Sequence, residues 1–238
     1  MATRITVSAG NRLSVDISKR LVLAEEGVSA YIIHNNYVLG KIFVHSGKTA
    51  TITNSFSTPS TLATGMTFDG TNLISTDLNS DKIYIHSGVS STVSSSFSTP
   101  GGAPRSLTLD DSNNLISSDA VIDKIYVHSG ITSSITSSFA APNNKPYGIV
   151  YDSENGNLVS VDSGTDKIYV HDGVSSTISS SFSTPSNNIG DMTYDGVNLT
   201  TINDGSGDIY LLDGISSTVD SSFTVTDSGK FVGICYAY

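Results

Sequence analysis

Histidine is the residue type in this sequence best suited to chemistry, because an imidazole can bind a metal ion or move a proton near neutral pH. Four histidines occupy one position of a motif that reads KIFVHSG, KIYIHSG, KIYVHSG and KIYVHDG in turn: His45, His86, His128 and His171. Leu212 stands at that position in a fifth copy, DIYLLDG. Such a set could form a shared metal site or a series of equivalent structural contacts, and the elements that carry it decide between the two.

The motif recurs with a regular period. The glycines that end successive copies are 41, 42, 43 and 41 residues apart, and a phenylalanine lies nine residues after each glycine. One period contains four short runs that alternate between apolar and polar residues, separated by turn residues such as Asp69–Gly70 and Asp195–Gly196. Four antiparallel strands repeated at this interval are typical of a β-propeller blade. We name these strands A to D, from the propeller axis outward.

The two ends of the sequence predict how the ring closes. Residues 233–238 (GICYAY) match strand A of the other repeats, whereas residues 30–56 supply strands B, C and D. If the C-terminal strand joins the N-terminal blade, five blades close with no exposed sheet edge. Residues 20–24 (RLVLA) are the alternative source of this strand. We therefore predict an all-β five-bladed propeller over residues 30–238, with residues 1–29 as an N-terminal arm or hairpin.

This fold separates the four repeated histidines. Strand C is the third from the axis, and strands lie about 4.8 Å apart, so equivalent positions in neighbouring blades are separated by more than about 10 Å. Zinc ligands lie roughly 2 Å from the metal. We expect each histidine to be packed and hydrogen-bonded within its own blade, and we predict no metal and no cofactor.

A second repeated set of side chains ends strand B: Asp77, Asp119 and Asp162, with Asn36 and Asn203 in register. Such side chains usually accept backbone N–H groups and fix a turn. A cation or ligand site at the same turns is the alternative. A further aspartate directly precedes the first lysine of three motif copies and predicts a repeated surface ion pair: Asp81, Asp123 and Asp166.

The connections from strand D to strand A differ most between repeats, and they cross the face on which the centre of a propeller opens. Shared residues serve the shared fold, so specific binding is expected where a repeat departs from the others. We predict that six residues of these connections contact a partner: Arg105, Asn144, Lys145, Tyr147, Asn188 and Lys230. In the N-terminal arm, we predict that the basic side chains contact other subunits of an assembly: Arg4, Arg12, Lys19 and Arg20.

The stretch from Pro146, PYGIVYDSENGNLVSVDSGTDKIYVHDG, resembles the NHL-type propeller repeat. It has Pro-x-Gly, an apolar strand ending in Asp, a Gly-Asn turn, a second strand ending in Asp and a Lys-Ile-x-Val strand. The resemblance implies the propeller fold. It does not assign a function, because NHL-like propellers include binding modules, lyases and lactonases.

Composition excludes several classes of protein. A formal net charge of −10 argues against nucleic-acid binding, which needs a basic face. The single cysteine, Cys235, has no partner for an internal disulfide. No apolar run reaches the roughly 18 residues that span a membrane, and the N-terminal residues lack the apolar segment of a signal peptide. We therefore expect a protein of the cytoplasm or of a virion, without membrane insertion.

The sequence favours a non-enzymatic function. It contains no G-x-S-x-G elbow. A lactonase-like metal site would need a cluster of Glu, Asn and Asp, and glutamate occurs only at Glu25, Glu26 and Glu154. We expect a structural or adhesive propeller in a larger assembly, such as a virus or phage particle, with residues 1–29 contacting other subunits. A lectin-like module that binds cell-surface glycan is the first alternative. A lyase- or lactonase-like enzyme is the second.

Overall fold

The computed structural model describes residues 30–238, which form β-strands in five consecutive groups. The first group is β1 (Tyr31–Asn36), β2 (Lys41–His45) and β3 (Ile52–Ser57). The second is β4 (Ala63–Phe68), β5 (Leu73–Asp77), β6 (Lys82–His86) and β7 (Val93–Ser98). The third is β8 (Pro104–Leu109), β9 (Leu115–Asp119), β10 (Lys124–His128) and β11 (Ile135–Ala140). The fourth is β12 (Pro146–Asp152), β13 (Asn157–Asp162), β14 (Lys167–His171) and β15 (Ile178–Ser183). The fifth is β16 (Ile189–Tyr194), β17 (Leu199–Asn203), β18 (Asp208–Leu212) and β19 (Val219–Thr224), and β20 (Gly233–Ala237) follows it.

The strands form five antiparallel sheets of four strands each, which are the blades of a propeller. Blades II to V consist of β4–β7, β8–β11, β12–β15 and β16–β19. Blade I has the order β20-β1-β2-β3, with Cys235 opposite Ile33. The five-bladed propeller and its closure by the C-terminal strand are therefore confirmed. β20 takes the place that the alternative prediction gave to residues 20–24.

Burial decreases from the axis to the perimeter. The innermost strands are in contact with one another around the ring and are mostly buried. The outer strands β3, β7, β11, β15 and β19 expose at least four of their six residues. This gradient explains the composition, because serine and threonine suit an exposed strand, whereas most of the large apolar side chains lie on the buried inner strands.

The hydrophobic core lies between neighbouring blades. Ile74 and Ile83 of blade II pack against Leu107 and Leu115 of blade III, and each is at most 2% exposed. A phenylalanine of each outer strand faces the next blade, and in four cases its ring centroid lies 6.0–6.3 Å from a histidine ring: Phe56–His86, Phe97–His128, Phe139–His171 and Phe223–His45. The phenylalanine that recurs nine residues after each glycine is thus an inter-blade contact.

The glycine that ends the repeated motif is required by the turn between strands C and D. In blade II, Gly88 has a φ of 70°, a conformation that side chains disfavour. Its N–H donates to Asn72 Oδ1 (3.0 Å), and its carbonyl accepts from the N–H of Leu73 (3.2 Å). The same Asn–Gly bond recurs in three further blades: Asn114–Gly130, Asn157–Gly173 and Asn198–Gly214.

Successive strands run in opposite directions, so the loops fall on two faces of the ring. One face carries the links from strand D to strand A together with the B–C turns, and we call it the link face. The other carries the A–B and C–D turns, and we call it the turn face. No helix in residues 30–238 is long and apolar enough to cross a membrane.

Candidate functional site

The repeated histidines use both ring nitrogens within their blades. In blade II, His86 Nδ1 lies 2.7 Å from the carbonyl of Ser90, so Nδ1 carries the proton. Nε2 then accepts from the hydroxyl of Ser75 at 2.9 Å. His128 and His171 make the same two contacts in blades III and IV. Burial lowers the pKa of all three rings, which holds them neutral. The structural interpretation of these histidines is confirmed.

Blade I departs from this pattern at one residue, where His34 stands in place of the serine. His34 Nδ1 lies 2.7 Å from His45 Nε2, and His45 Nδ1 lies 2.6 Å from the carbonyl of Thr49. The other nitrogen of His34 faces the carboxylate of Asp227 at 3.4 Å. Asp227 belongs to the link that leads into β20, and Asn36 Nδ2 donates to it at 2.8 Å.

The hydrogen bonds of this Asp-His-His chain fix its protons. A carbonyl only accepts, so His45 Nδ1 donates to Thr49 and His45 Nε2 accepts from His34. His34 Nδ1 therefore carries a proton, and His34 Nε2 is the ring nitrogen that faces the carboxylate of Asp227. Burial, followed by the charge of His34, lowers the pKa of His45 to about 4. Burial opposes ionisation of Asp227, but the bonds from His34 and Asn36 prevail and lower its pKa.

The aspartates that end strand B connect two loops of the link face. Asp77 Oδ1 accepts from the N–H groups of Asn79 and Ser80 in the B–C turn at 3.0 and 2.8 Å. Its Oδ2 accepts from the N–H of Leu62 in the preceding link at 2.9 Å. Asp119 and Asp162 make equivalent bonds. The expected role of these side chains in fixing the turn is therefore confirmed.

Asparagine replaces aspartate where the link offers an acceptor. Asn203 Nδ2 donates to the carbonyl of Asn187 at 2.6 Å. Asn36 Nδ2 donates to Asp227 and to the carbonyl of Ser228. A carboxylate has no proton to donate at neutral pH, so the amide at these two positions follows from the groups that face it.

The prediction of a repeated surface ion pair between an aspartate and the lysine that follows it is wrong. Asp81, Asp123 and Asp166 form no ion pair with the lysines that follow them in the described part of the chain. They have φ values of 51°, 54° and 52°, and aspartate is one of the few side chains that tolerates this left-handed conformation. Their carbonyls accept the first N–H of the following link. These aspartates are therefore turn residues.

The structure brings two of the six predicted partner-contact residues together. Arg105 and Tyr147 lie on the innermost strands β8 and β12, each beside a register shift at the start of its strand. A β-bulge of this kind redirects a side chain and is common near binding sites. The guanidinium carbon of Arg105 lies 4.6 Å from the centroid of the Tyr147 ring, a cation–π contact.

The other four predicted contact residues lie along the link face and participate in its loops. Lys145 donates its N–H to Asp162, and the Asn144 side chain lies beside Gly164. Asn188 has a φ of 58°, and its carbonyl accepts from the N–H of Asp204. Lys230 Nζ lies 3.3 Å from Asp204 Oδ2. Their predicted contact with a partner stays a prediction, and Arg4, Arg12, Lys19 and Arg20 lie outside the described residues.

The link face contains a pocket of about 180 Å³ beside Arg105. We call it the inner pocket, and its lining residues come from blades I, II and III and the link between the first two: Tyr37, Leu62, Thr64, Leu78 and Arg105. A shallower groove adjoins it across Tyr37, and exposed Val38 and Leu39 line that groove. Apolar walls with one guanidinium are the composition of a small ligand site.

Two polar residues of the innermost strands meet at the centre of the ring. Ser106 and Asp191 occupy the inner-strand position at which Gly65, Gly148 and Gly233 stand in the other blades. The Ser106 hydroxyl donates to Asp191 Oδ1 at 2.6 Å, and Asp191 Oδ2 accepts from the N–H of Ile234. Burial raises the pKa of Asp191, against the opposing effect of these bonds.

The perimeter carries a second repeated surface. Four half-buried tyrosines of strand C lie directly opposite an exposed serine of strand D, and we call these pairs the tyrosine grooves: Tyr84–Ser96, Tyr126–Ser138, Tyr169–Ser181 and Tyr210–Ser222. Tyr84 shares a sheet face with His86, which contacts Phe56 of the preceding blade, so the pairs line the spaces between blades. Phe43 takes this position in blade I and is 8% exposed.

Sequence reasoning missed the Asp-His-His chain and the Ser106–Asp191 pair. Both show the same signal in the sequence: a repeat has a polar residue at a position where most other repeats have a smaller residue. His34 stands in register with Ser75, Ser117 and Ser160. Comparison of the inner strands, as well as the links, would have found both. Within residues 30–238, no three His, Cys, Asp or Glu side chains are grouped as a metal ion requires.

Comparison with solved structures finds other β-propellers. A chain of a nidogen–laminin complex has a TM-score of 0.60 at 16% identity, over 88% of this chain and 99% of that one. The glutaminyl cyclase of Myxococcus xanthus has a TM-score of 0.58 at 16% identity, over 74% and 71%. The virginiamycin B lyase of Staphylococcus aureus has a TM-score of 0.50 at 20% identity, over 79% and 64%.

These similarities establish the β-propeller fold and no more, because the identities are low and the neighbours include two enzymes. No family model matches the sequence, and no curated protein matches it significantly.

Proposed function

We propose that this chain is a non-catalytic adhesive propeller that binds a polyhydroxylated polymer, such as a cell-surface glycan, through its tyrosine grooves. The observation that carries the proposal is the recurrence of one Tyr–Ser pair, a half-buried tyrosine beside an exposed serine, in four of the five blades. A tyrosine offers an apolar ring with a polar tip, and the neighbouring serine adds a hydroxyl donor and acceptor. These are the groups that a sugar ring requires.

Repetition supports adhesion over catalysis. A catalytic site is a single asymmetric constellation, whereas four equivalent grooves around a ring suit a ligand that repeats. Weak binding at each groove adds up through effective concentration when one polymer reaches several of them. The repeated histidines have both nitrogens engaged, and Asp191 is buried, so neither set is free to act on a substrate. We further propose that the repeats are of the NHL type, on the pattern from Pro146 onward.

A glycan array probed with the full chain tests this function. We expect binding that strengthens with glycan length, and we expect loss of binding when all four groove tyrosines are changed to alanine. The matched control changes the same four residues to phenylalanine, which keeps the rings and should retain most of the binding. An array without signal, or equal binding by the alanine variant, would contradict the proposal.

We also propose that residues 1–29 hold the propeller in a larger assembly, for which a virus or phage particle is the sequence-based hypothesis. The support is the charge of this segment, a net +1 from four basic and three acidic residues, against −11 for the remainder of the chain. Mass photometry of the full chain beside a variant with Arg4, Arg12, Lys19 and Arg20 changed to glutamate tests it. We expect oligomers or particle binding for the wild type alone, and identical monomers would contradict an assembly role.

A further inference from the structure

Arg105 is unusual among the cations of this protein. It is half-buried on an innermost strand, and no carboxylate in residues 30–238 pairs with it. Its Nε atom is buried without a hydrogen-bond partner. A buried donor that lacks an acceptor destabilises the fold. This arrangement is therefore unfavourable unless a ligand supplies the missing acceptor.

A contact with the Tyr147 ring orients the guanidinium of Arg105 beside the inner pocket. The Tyr147 ring lies against it, with 4.6 Å between the guanidinium carbon and the ring centroid. Thr64, which also lines the inner pocket, is held by hydrogen bonds to the carbonyl of Pro104 and the hydroxyl of Thr76, both at 2.8 Å. A fixed guanidinium loses less entropy on binding, because its donors are already oriented.

The pocket limits what can bind. Its volume of about 180 Å³ is similar to that of an apolar cavity of about 150 Å³ that holds a benzene molecule, which suits a carboxylate with a few carbon atoms. Leu62, Leu78 and Tyr37 provide apolar walls, and the groove beyond Tyr37 continues with exposed Val38 and Leu39. The chain has a net charge of −10, and Arg105 is the one cation that lines the pocket. This favours a single negative charge over a phosphate dianion.

We propose that the inner pocket binds a monocarboxylate with a short apolar chain, whose carboxylate is held by Arg105 and whose chain lies between Leu62 and Leu78. The planar fork of guanidinium donors matches the two oxygens of a carboxylate. The carboxylate can belong to a free acid or to the C-terminus of an apolar peptide. This site does not depend on the adhesive role, because the tyrosine grooves lie on the perimeter and the inner pocket lies near the axis.

Isothermal titration of the full chain with hexanoate tests the site. We expect saturable binding of hexanoate, at least tenfold weaker binding of hexanol, and no saturation with inorganic phosphate. An acetylated Leu-Leu dipeptide with a free carboxyl end, compared with its amide, distinguishes a peptide end from a free acid. Tighter binding of the peptide acid than of hexanoate would assign the site to a peptide terminus.

The variants separate recognition from folding. We expect Arg105→Gln to weaken hexanoate binding at least tenfold and Arg105→Lys to weaken it severalfold, because lysine keeps the charge and loses the fork. Lys124→Gln removes an exposed cation elsewhere in blade III and should leave binding unchanged. In the wild type, hexanoate should shift the amide resonances of Leu62 and Leu78. Absence of these shifts and of saturable heat, or wild-type affinity in a folded Arg105→Gln variant, would overturn the proposal.

Discussion

The junction between blades V and I differs from the junctions between consecutive blades II, III and IV. The consecutive junctions use apolar side chains and a Phe–His ring contact. The closing junction keeps the ring contact, Phe223 with His45, and adds charge. All three ion pairs of residues 30–238 lie at this junction or in the link that enters it: His34–Asp227, Lys48–Asp195 and Lys230–Asp204.

The chain explains why charge is concentrated there. Consecutive blades are joined by links of a few residues, so short-range tethering selects the correct neighbour. Closure instead requires β20 to find β1 across nearly the whole propeller, and an apolar face alone does not distinguish one blade from another. Lys48 follows its motif glycine at the position where the other four repeats have a branched apolar residue: Val89, Ile131, Val174 and Ile215. We interpret the charged pairs as the feature that selects the closing partner.

The largest predicted effect on stability comes from a substitution at Asp227, in the junction between blades V and I. Asp227→Ala removes the acceptor that faces His34 and one of the two acceptors of Asn36, and loss of one partner of a buried pair costs about 3–5 kcal/mol. We expect a decrease near the lower end of that range in the free energy of unfolding, measured with urea. Asn143→Ala, at the equivalent position of the link between blades III and IV, is the control and should change stability by less than about 0.5 kcal/mol. Equal losses would show that the junctions do not differ.

The second prediction concerns acid. The pKa of His45 is about 4 in the folded state against 6.5 in the unfolded state, so the unfolded state binds more protons between these values. Stability should therefore fall as the pH decreases from 6.5 to 4, by up to about 3 kcal/mol from this residue. Urea unfolding at pH 7, 5.5 and 4.5 measures the slope. His45→Leu should reduce the slope more than His86→Leu, whose pKa is also lowered; the reverse order would contradict the assignment.

A third prediction concerns blade V, the one blade that lacks the histidine of strand C. Leu212 replaces it in blade V, and the hydroxyl of Thr201, which stands where Ser75 stands in blade II, has no hydrogen-bond partner. Leu212→His should supply that partner and stabilise the protein at pH 7 by about 1 kcal/mol. The same variant should become more sensitive to acid. A destabilised variant would mean that the apolar contact of Leu212 with Phe182 outweighs the hydrogen bond.

The smallest predicted effect comes from a substitution that removes a charge from the turn face. Lys48 pairs with Asp195 and lies 5.0 Å from the centre of the Tyr236 ring. The lysine side chain is 31% exposed, so Lys48→Ile should cost about 1 kcal/mol or less. Thermal unfolding at low and high salt measures the contribution of this pair to stability, because salt screens exposed charges. We expect the wild type to lose stability relative to Lys48→Ile as salt increases; parallel salt dependence would show that the pair contributes nothing.

Much of the fold could be predicted from the sequence. The period of 41 to 43 residues gave the number of blades, and strand alternation gave four strands in each. The unmatched strands at the two ends gave the closure. These properties follow from local physics, because a half-buried strand imposes a period of two and a turn imposes its own residue types. The structural role of His86 could be predicted for the same reason.

Only the tertiary structure decided which of the residues that differ between repeats come into contact with one another. His34 and Asp227 are 193 residues apart, and Ser106 and Asp191 are 85 residues apart. The repeated Asp-Lys dipeptides suggested ion pairs that the turn geometry does not form. The sequence determined a regular propeller, because regularity is local. The junction between blades V and I and the pocket at Arg105 depend on contacts across the ring, which local pattern does not encode.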